Sequence, residues 1–174
     1  MYQELFENYS KLSEDQKGFI DIVYIQCRKY ADVVKEIKID IVTIRQWYAE
    51  LEPVWRPMSR IRNLYKTKGM TINFYSFFKW ISEQERKCYY CGITKPQIQT
   101  LKELGLRNKR ELTRGSALEL DRKDSHALYD DLDNLTYCCY WCNNAKTDTF
   151  TADEFKEVGE AIGRVWRKRL GNLQ

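Results

Sequence analysis

Two Cys-x-x-Cys pairs, Cys88-Tyr89-Tyr90-Cys91 and Cys139-Tyr140-Trp141-Cys142, constrain this chain more than any other feature. Each pair can bite one tetrahedral ion from a tight knuckle turn, and together they supply four thiolates. The competing reading is a pair of disulfides. It suits the sequence poorly, because no secretory signal is read at the start and two of the six cysteines, Cys27 and Cys138, fit no pairing pattern. The expectation is therefore zinc bound by Cys88, Cys91, Cys139 and Cys142 in a reducing cytoplasmic setting. Neither knuckle brings a ligand set with an open, water-activating position, so the zinc is expected to be structural.

At 174 residues, 43% of them hydrophobic, the chain is long enough for one domain or two small ones with real cores. No apolar run approaches the length of a membrane span. The net charge of +4 is modest, but its distribution is uneven. From Pro53 to Ser82 there is no acidic residue, while Arg56, Arg60, Arg62, Lys66, Lys68 and Lys79 alternate with Trp55, Tyr65, Phe74, Tyr75, Phe77, Phe78 and Trp80. The aromatics read as the core face of helices. A one-signed run of cations favours phosphate contact over a merely solvated face.

The N-terminal part reads as helical. Ser13-Glu14-Asp15-Gln16 has capping-box form and opens an apolar helix through Cys27. Val33 to Ile37 reads as a short helix, Lys38-Ile39-Asp40 as a turn with Asp40 capping, and Ile41 to Glu50 as a third helix stopped before Pro53. This pattern resembles a helix-turn-helix. Ile37, Ile39, Ile44 and Trp47 are expected in its core, with Thr43, Arg45 and Gln46 pointing outward as DNA-reading side chains. Lys38 stands where a glycine is usual in the turn. Small helical packs without a DNA function share the same periodicity.

Further on, Phe74, Phe77, Phe78 and Ile81 fall at helical spacing, and Pro96 to Leu104 makes another short helix ended by Gly105. Alternation at Leu118 and Leu120, an aspartate-rich turn, and the run Asn134 to Cys139 predict a hairpin. A helix is expected after Cys142, and Thr151-Ala152-Asp153-Glu154 is a second capping box launching a final helix to Leu170. Hairpin then helix, clamped by a metal, is a ββα arrangement that sets Asp121 near Asn143.

The motifs Phe78-Lys79-Trp80, Cys88-Tyr89-Tyr90-Cys91-Gly92-Ile93, Asp121-Arg122, Asp124-Ser125, Tyr129, Asn134, Cys139, Cys142-Asn143, Lys146 and Phe150, with Val158-Gly159-Glu160-Ala161-Ile162 before Trp166, carry a family resemblance. Residues 88–146 resemble the HNH, or ββα-metal, endonuclease superfamily, and the wider stretch 77–169 resembles its tyrosine-using restriction-enzyme variant. The resemblance fades upstream of Arg60. It implies that Asp121 and Asn143 bind a catalytic Mg²⁺ or Mn²⁺, that Asn134 holds the loop between the strands, and that Lys146 reaches a phosphate. The departure from the common pattern is Arg122, where a general-base histidine usually follows the aspartate. A guanidinium cannot accept a proton at ordinary pH, which casts Arg122 as a phosphate clamp. The tyrosine variant points to Tyr90 as the base. Tyr89 and the single histidine, His126, are the alternatives.

The fold expected is α+β and mainly helical: a helix-turn-helix-like DNA-binding unit over 1–52, basic and aromatic connecting helices over 53–82, and a zinc-stapled ββα nuclease domain over 83–174. The function expected is metal-dependent hydrolysis of duplex DNA by a restriction or defence enzyme, acting as a homodimer where both strands are cut. A non-catalytic DNA-binding regulator and a homing or phage nuclease are the other readings.

Overall fold

In the computed structural model, residues 2–106 and 117–171 are described. They form two compact units, Met1–Gln84 and Glu85–Gln174.

The first unit is helical. After α1 (Tyr2–Ser10), Ser13 caps α2 (Glu14–Ile20), its side chain accepting from the Gln16 N–H while the Gln16 side chain accepts from the Ser13 N–H. A π-helical turn, Asp21–Ile25, continues α2, and the chain leaves it through Cys27 at a positive φ of 58°. Helix α3 (Tyr30–Ile37) ends on Lys38, which adopts the left-handed conformation where glycine is the unstrained choice. Asp40 then caps α4 (Ile41–Glu50), accepting from the N–H groups of Val42 and Thr43. Gly18 lets Ile37 lie against α2, since a Cβ at Gly18 would come within 2.8 Å of the Ile37 Cδ1. Ile44 is fully buried as expected, whereas Ile37, Ile39 and Trp47 are half-buried and Val33 fills the centre.

Pro53 does more than end α4. Leu51 closes α4 and at once precedes α5 (Glu52–Thr67), so Pro53 occupies the first turn of α5, where a missing N–H costs nothing. Val54, Trp55, Met58 and Ile61 turn inward. Helix α6 (Phe74–Glu83), capped by Asn73, buries Phe74, Phe77, Phe78 and Ile81. Tyr24 and Trp55 stack with ring centroids 4.3 Å apart, and Phe77 and Phe78 are wholly enclosed.

The second unit is built on a two-stranded antiparallel sheet, β1 (Leu118–Arg122) and β2 (Leu135–Cys139). The register pairs Glu119 with Cys138 and Asp121 with Thr136. Cys139 caps α8 (Tyr140–Lys146), which starts three residues earlier than the sequence suggests and so takes Cys142 into its first turn. Thr94 caps α7 (Lys95–Glu103), and Thr151 with Glu154 opens α9 (Ala152–Gly171). The first knuckle docks on the sheet through the Tyr89 N–H, which donates to the Tyr137 carbonyl at 2.8 Å.

Helix α9 approaches that knuckle at backbone distance. A Cβ at Gly159 would lie 2.6 Å from Tyr90 Cβ and 2.9 Å from its carbonyl oxygen; one at Gly163 would lie 2.6 Å from the Cys91 carbonyl. Phe155 adds an edge-on ring contact with Tyr90 at 5.2 Å. Gly159→Ala is thus expected to destabilise the second unit by about 2 kcal/mol, because the opposing atoms, the Tyr90 Cβ and the backbone carbonyl beside it, cannot swing aside. Chemical denaturation followed at the tyrosines and tryptophans of this unit would measure it, and an unchanged midpoint would refute the close approach.

Candidate metal and active site

Four thiols meet between the knuckle and the sheet. Cys88, Cys91, Cys139 and Cys142 are all buried, and their sulfurs lie within 4.8 Å of one another, with Cys91 and Cys139 3.6 Å apart. None is in a disulfide. A tetrahedral ion with metal–sulfur bonds of roughly 2.3 Å needs sulfurs about 3.8 Å apart, so the group can hold one metal ion, and its all-thiolate chemistry fits zinc. Local backbone bonds shape the bite: Gly92, at φ 75°, returns its N–H to the Cys88 carbonyl, and the Cys88 N–H donates to Ile93. The crowding also separates the thiols in acidity. Hydrogen bonds from Cys138, Cys139 and Cys142 hold Cys88 well below the usual thiol range, while bonding to Cys139 pushes Cys142 up. Metal binding takes up such thiols as thiolates, which a soft cation stabilises.

Cys138, unpaired in the sequence pattern, is itself fully buried, its Sγ directed to the Cys139 carbonyl at 3.4 Å. Cys27 is exposed.

Tyr90 and Asp121 face each other nearby. The Tyr90 hydroxyl donates to Asp121 Oδ2 at 3.4 Å, and both residues are buried. Burial, and then the Asp121 carboxylate, push the Tyr90 phenol above its usual range. Tyr89 is half exposed beside the Lys123 ammonium, and His126 lies exposed on the hairpin loop, its N–H donating to Asp124. Of the three base candidates, Tyr90 is the one in contact with Asp121.

Lys146 differs from expectation. It is only 1% exposed, and its ammonium donates to the Arg122 carbonyl at 3.1 Å and to Ser125 Oγ at 2.5 Å, with Asp121 Oδ2 3.9 Å away. Instead of reaching out to a phosphate, it ties the end of β1 to the following loop from inside. Arg122 is also partly engaged: Nη1 donates to the Ala127 carbonyl and the guanidinium lies 4.5 Å from the centre of the Tyr129 ring. Its Nε is buried with no hydrogen-bond partner. Asn134 does span the loop, its Oδ1 accepting from the Asp124 N–H at 2.8 Å and its Nδ2 donating to the Asp124 carbonyl at 3.2 Å.

Glu119, passed over in the sequence, joins this cluster. Asn143 Nδ2 donates to Glu119 Oε2 at 2.6 Å. The signal was the period-2 pleat, which puts residues 119 and 121 on one face of the strand. Asp121 and Asn143 offer a carboxylate and an amide oxygen on that face, a donor set that fits a hard divalent cation.

The DNA-reading candidates lie in the first unit. Arg45 is exposed, but the Thr43 hydroxyl is bound to Asp40 at 2.6 Å and Gln46 to Glu50 at 2.7 Å. The acid-free run is met by acids at its ends, Glu52 pairing with Arg56 and Glu83 with Lys79. Arg62 turns back to the Ile25 carbonyl, whereas Arg60 and Lys66 are exposed and Lys68 is half-buried. No described helix is long and apolar enough to cross a membrane.

Among solved structures, the rare-cutting HNH restriction endonuclease PacI is 30% identical to this chain, over 66% of this chain and 78% of PacI. This chain belongs to the HNH endonuclease family. The relationship rests on that identity and coverage; the TM-score of the pair is 0.48. No family model and no curated protein matches the chain. The chain has Asp121, Asn134, Asn143 and four knuckle cysteines, with arginine at 122.

The four-sulfur cluster yields a direct expectation. Cys139→Ser should abolish stoichiometric metal binding and cooperative folding of residues 85–174, while Cys27→Ser and Cys138→Ala keep one metal per chain. Metal analysis beside thermal denaturation measures both, and a full metal complement in Cys139→Ser would exclude the cluster.

Proposed function

We propose that this protein is a divalent-metal-dependent endonuclease that hydrolyses phosphodiester bonds in duplex DNA, as a restriction or defence enzyme. The observation that carries the reading is the contact of Tyr90 with Asp121 on a sheet face shared with Asn143, in a chain 30% identical to an HNH restriction enzyme. Zinc on Cys88, Cys91, Cys139 and Cys142 is the structural ion. Asp121 and Asn143 would hold Mg²⁺ or Mn²⁺, which supplies stabilisation of negative charge on the scissile phosphate and leaving oxygen.

The chain's own groups do the rest. Tyr90, once it has lost its own proton to solvent, takes the proton of the attacking water as a phenolate. Its phenol is ordinarily held protonated by burial and by the Asp121 charge, and neutralising that charge with a cation lowers the barrier to ionisation. Arg122 keeps the guanidinium edge not bound to Ala127 for a phosphate oxygen. Asn134 and Lys146 fix the loop and strand end that carry Asp121. In the first unit, Arg45, Arg60, Lys66 and Lys68 are the cations assigned to DNA, with Thr43, Gln46, Arg56 and Arg62 held by neighbours within the protein. Exposed Arg164, Arg167 and Lys168 on α9 add basic charge to the second unit. A homodimer would bring two such sites to the two strands.

Duplex DNA incubated with the zinc-loaded protein and Mn²⁺ tests the whole. Asp121→Ala should give no metal-dependent product. Tyr90→Phe should retain fold and DNA binding while cleavage falls by about 10² to 10⁴, and wild-type cleavage should climb with pH through the alkaline range because the phenol titrates high. His126→Ala should cut within a few-fold of wild type. Normal cleavage by Tyr90→Phe would move the role of base to another group, and DNA binding without cleavage under every metal would favour a regulator.

A further inference from the structure

We infer that Glu119 is a positioning residue that sets which end of the Asn143 amide faces the catalytic cation; the inference rests on the nuclease reading above. Asn143 has one amide oxygen and one amide nitrogen, and only the oxygen can ligate a hard cation. The Glu119 carboxylate has only acceptors to offer when ionised. At 2.6 Å it therefore selects the amide nitrogen, and the flipped rotamer would press oxygen against oxygen. This holds whichever way the amide is drawn, because the chemistry of the partner decides it.

The fold delivers the contact by matching two periods. Glu119 and Asp121 are two residues apart on β1 and so share a face; Asn143 and Lys146 are three apart on α8 and so share a helical side. Asn143 meets Glu119 as Lys146 meets Asp121, at 2.6 Å and 3.9 Å. Two rungs thus join helix and strand. One holds the strand end that carries the ligand Asp121, the other turns the ligand Asn143.

A carboxylate this close to a metal site could instead be a ligand itself, and the two roles differ in what a glutamine does. A positioning role needs only an acceptor, which the glutamine amide oxygen retains. A ligand role needs the negative charge.

The test is Mn²⁺ binding to the zinc-loaded full chain, by calorimetry or by the loss of free-Mn²⁺ paramagnetic resonance, beside cleavage rates across Mn²⁺ concentration. Glu119→Met, which fills the same volume without an acceptor, should weaken Mn²⁺ by about 10- to 100-fold, the usual effect of losing a partner to a metal ligand. Cleavage should recover at saturating Mn²⁺. Glu119→Gln should bind within about threefold of wild type, and in an Asn143→Ala background Glu119→Met should cost nothing more. Unchanged Mn²⁺ affinity in Glu119→Met, a Gln variant as weak as Met, or loss of zinc from both overturns the inference. If Asp121→Ala binds Mn²⁺ as wild type does, it is the cation site itself that fails.

Discussion

The convergence of four sulfurs is the constraint on which the second unit depends. Among the described residues the unit's sheet has two strands, too few to enclose a core of their own, and a lone hairpin is marginal in water. What makes it a scaffold is the joining of the first knuckle to β2 and α8 through cysteines that are far apart in the chain. A bound ion at such a site contributes on the order of 10 kcal/mol, comparable to the whole stability of a small domain. Tyr90 sits between Cys88 and Cys91 in sequence, so the knuckle that carries two of the sulfurs also carries the group that meets Asp121.

Around that turn the polar groups are organised by hydrogen bonds more than by exposure. Lys146 is buried where a surface cation would have been expected, and it satisfies a carbonyl, a hydroxyl and a carboxylate together. A buried ammonium with that many acceptors resists displacement, since removing any partner leaves charge uncompensated. The loop after β1 is pinned in the same manner from its other side by Asn134. Hydrogen bonds thus hold one flank of the site, and the four cysteines lie on the other.

Much of this was legible in the residues, and the failures are specific. Capping residues declared themselves at Ser13, Asp40 and Thr151, because a side-chain oxygen ahead of a periodic apolar run has few other uses, while Asn73 and Thr94 cap helices that the sequence reading left without a named cap. The hairpin emerged where it was read, β1 over Leu118–Arg122 and β2 starting one residue later than expected, at Leu135. The start of α8 was missed because Cys139 doubles as metal ligand and helix cap, a role sulfur rarely plays, its Sγ accepting from the Cys142 N–H. Lys146 misled because sequence shows charge and not burial. Glu119 was overlooked because its meaning lies in a partner on another element, and linear spacing records only partners on the same one. The basic run was overread for a like reason, the acids that answer Arg56 and Lys79 standing just outside it.

The glycines of α9 extend the reach of the metal beyond its ligands. Gly159 and Gly163 leave a shallow channel along the helix that the backbone of the knuckle fills. Each glycine inside a helix costs about 1 kcal/mol of intrinsic helicity, so a segment with two of them a turn apart has little reason to stay wound alone. The knuckle supplies that reason only while it keeps its shape. Stripping the ion would therefore soften the middle of a twenty-residue helix that donates no ligand, and α9 becomes a distant reporter of whether the sulfurs are occupied.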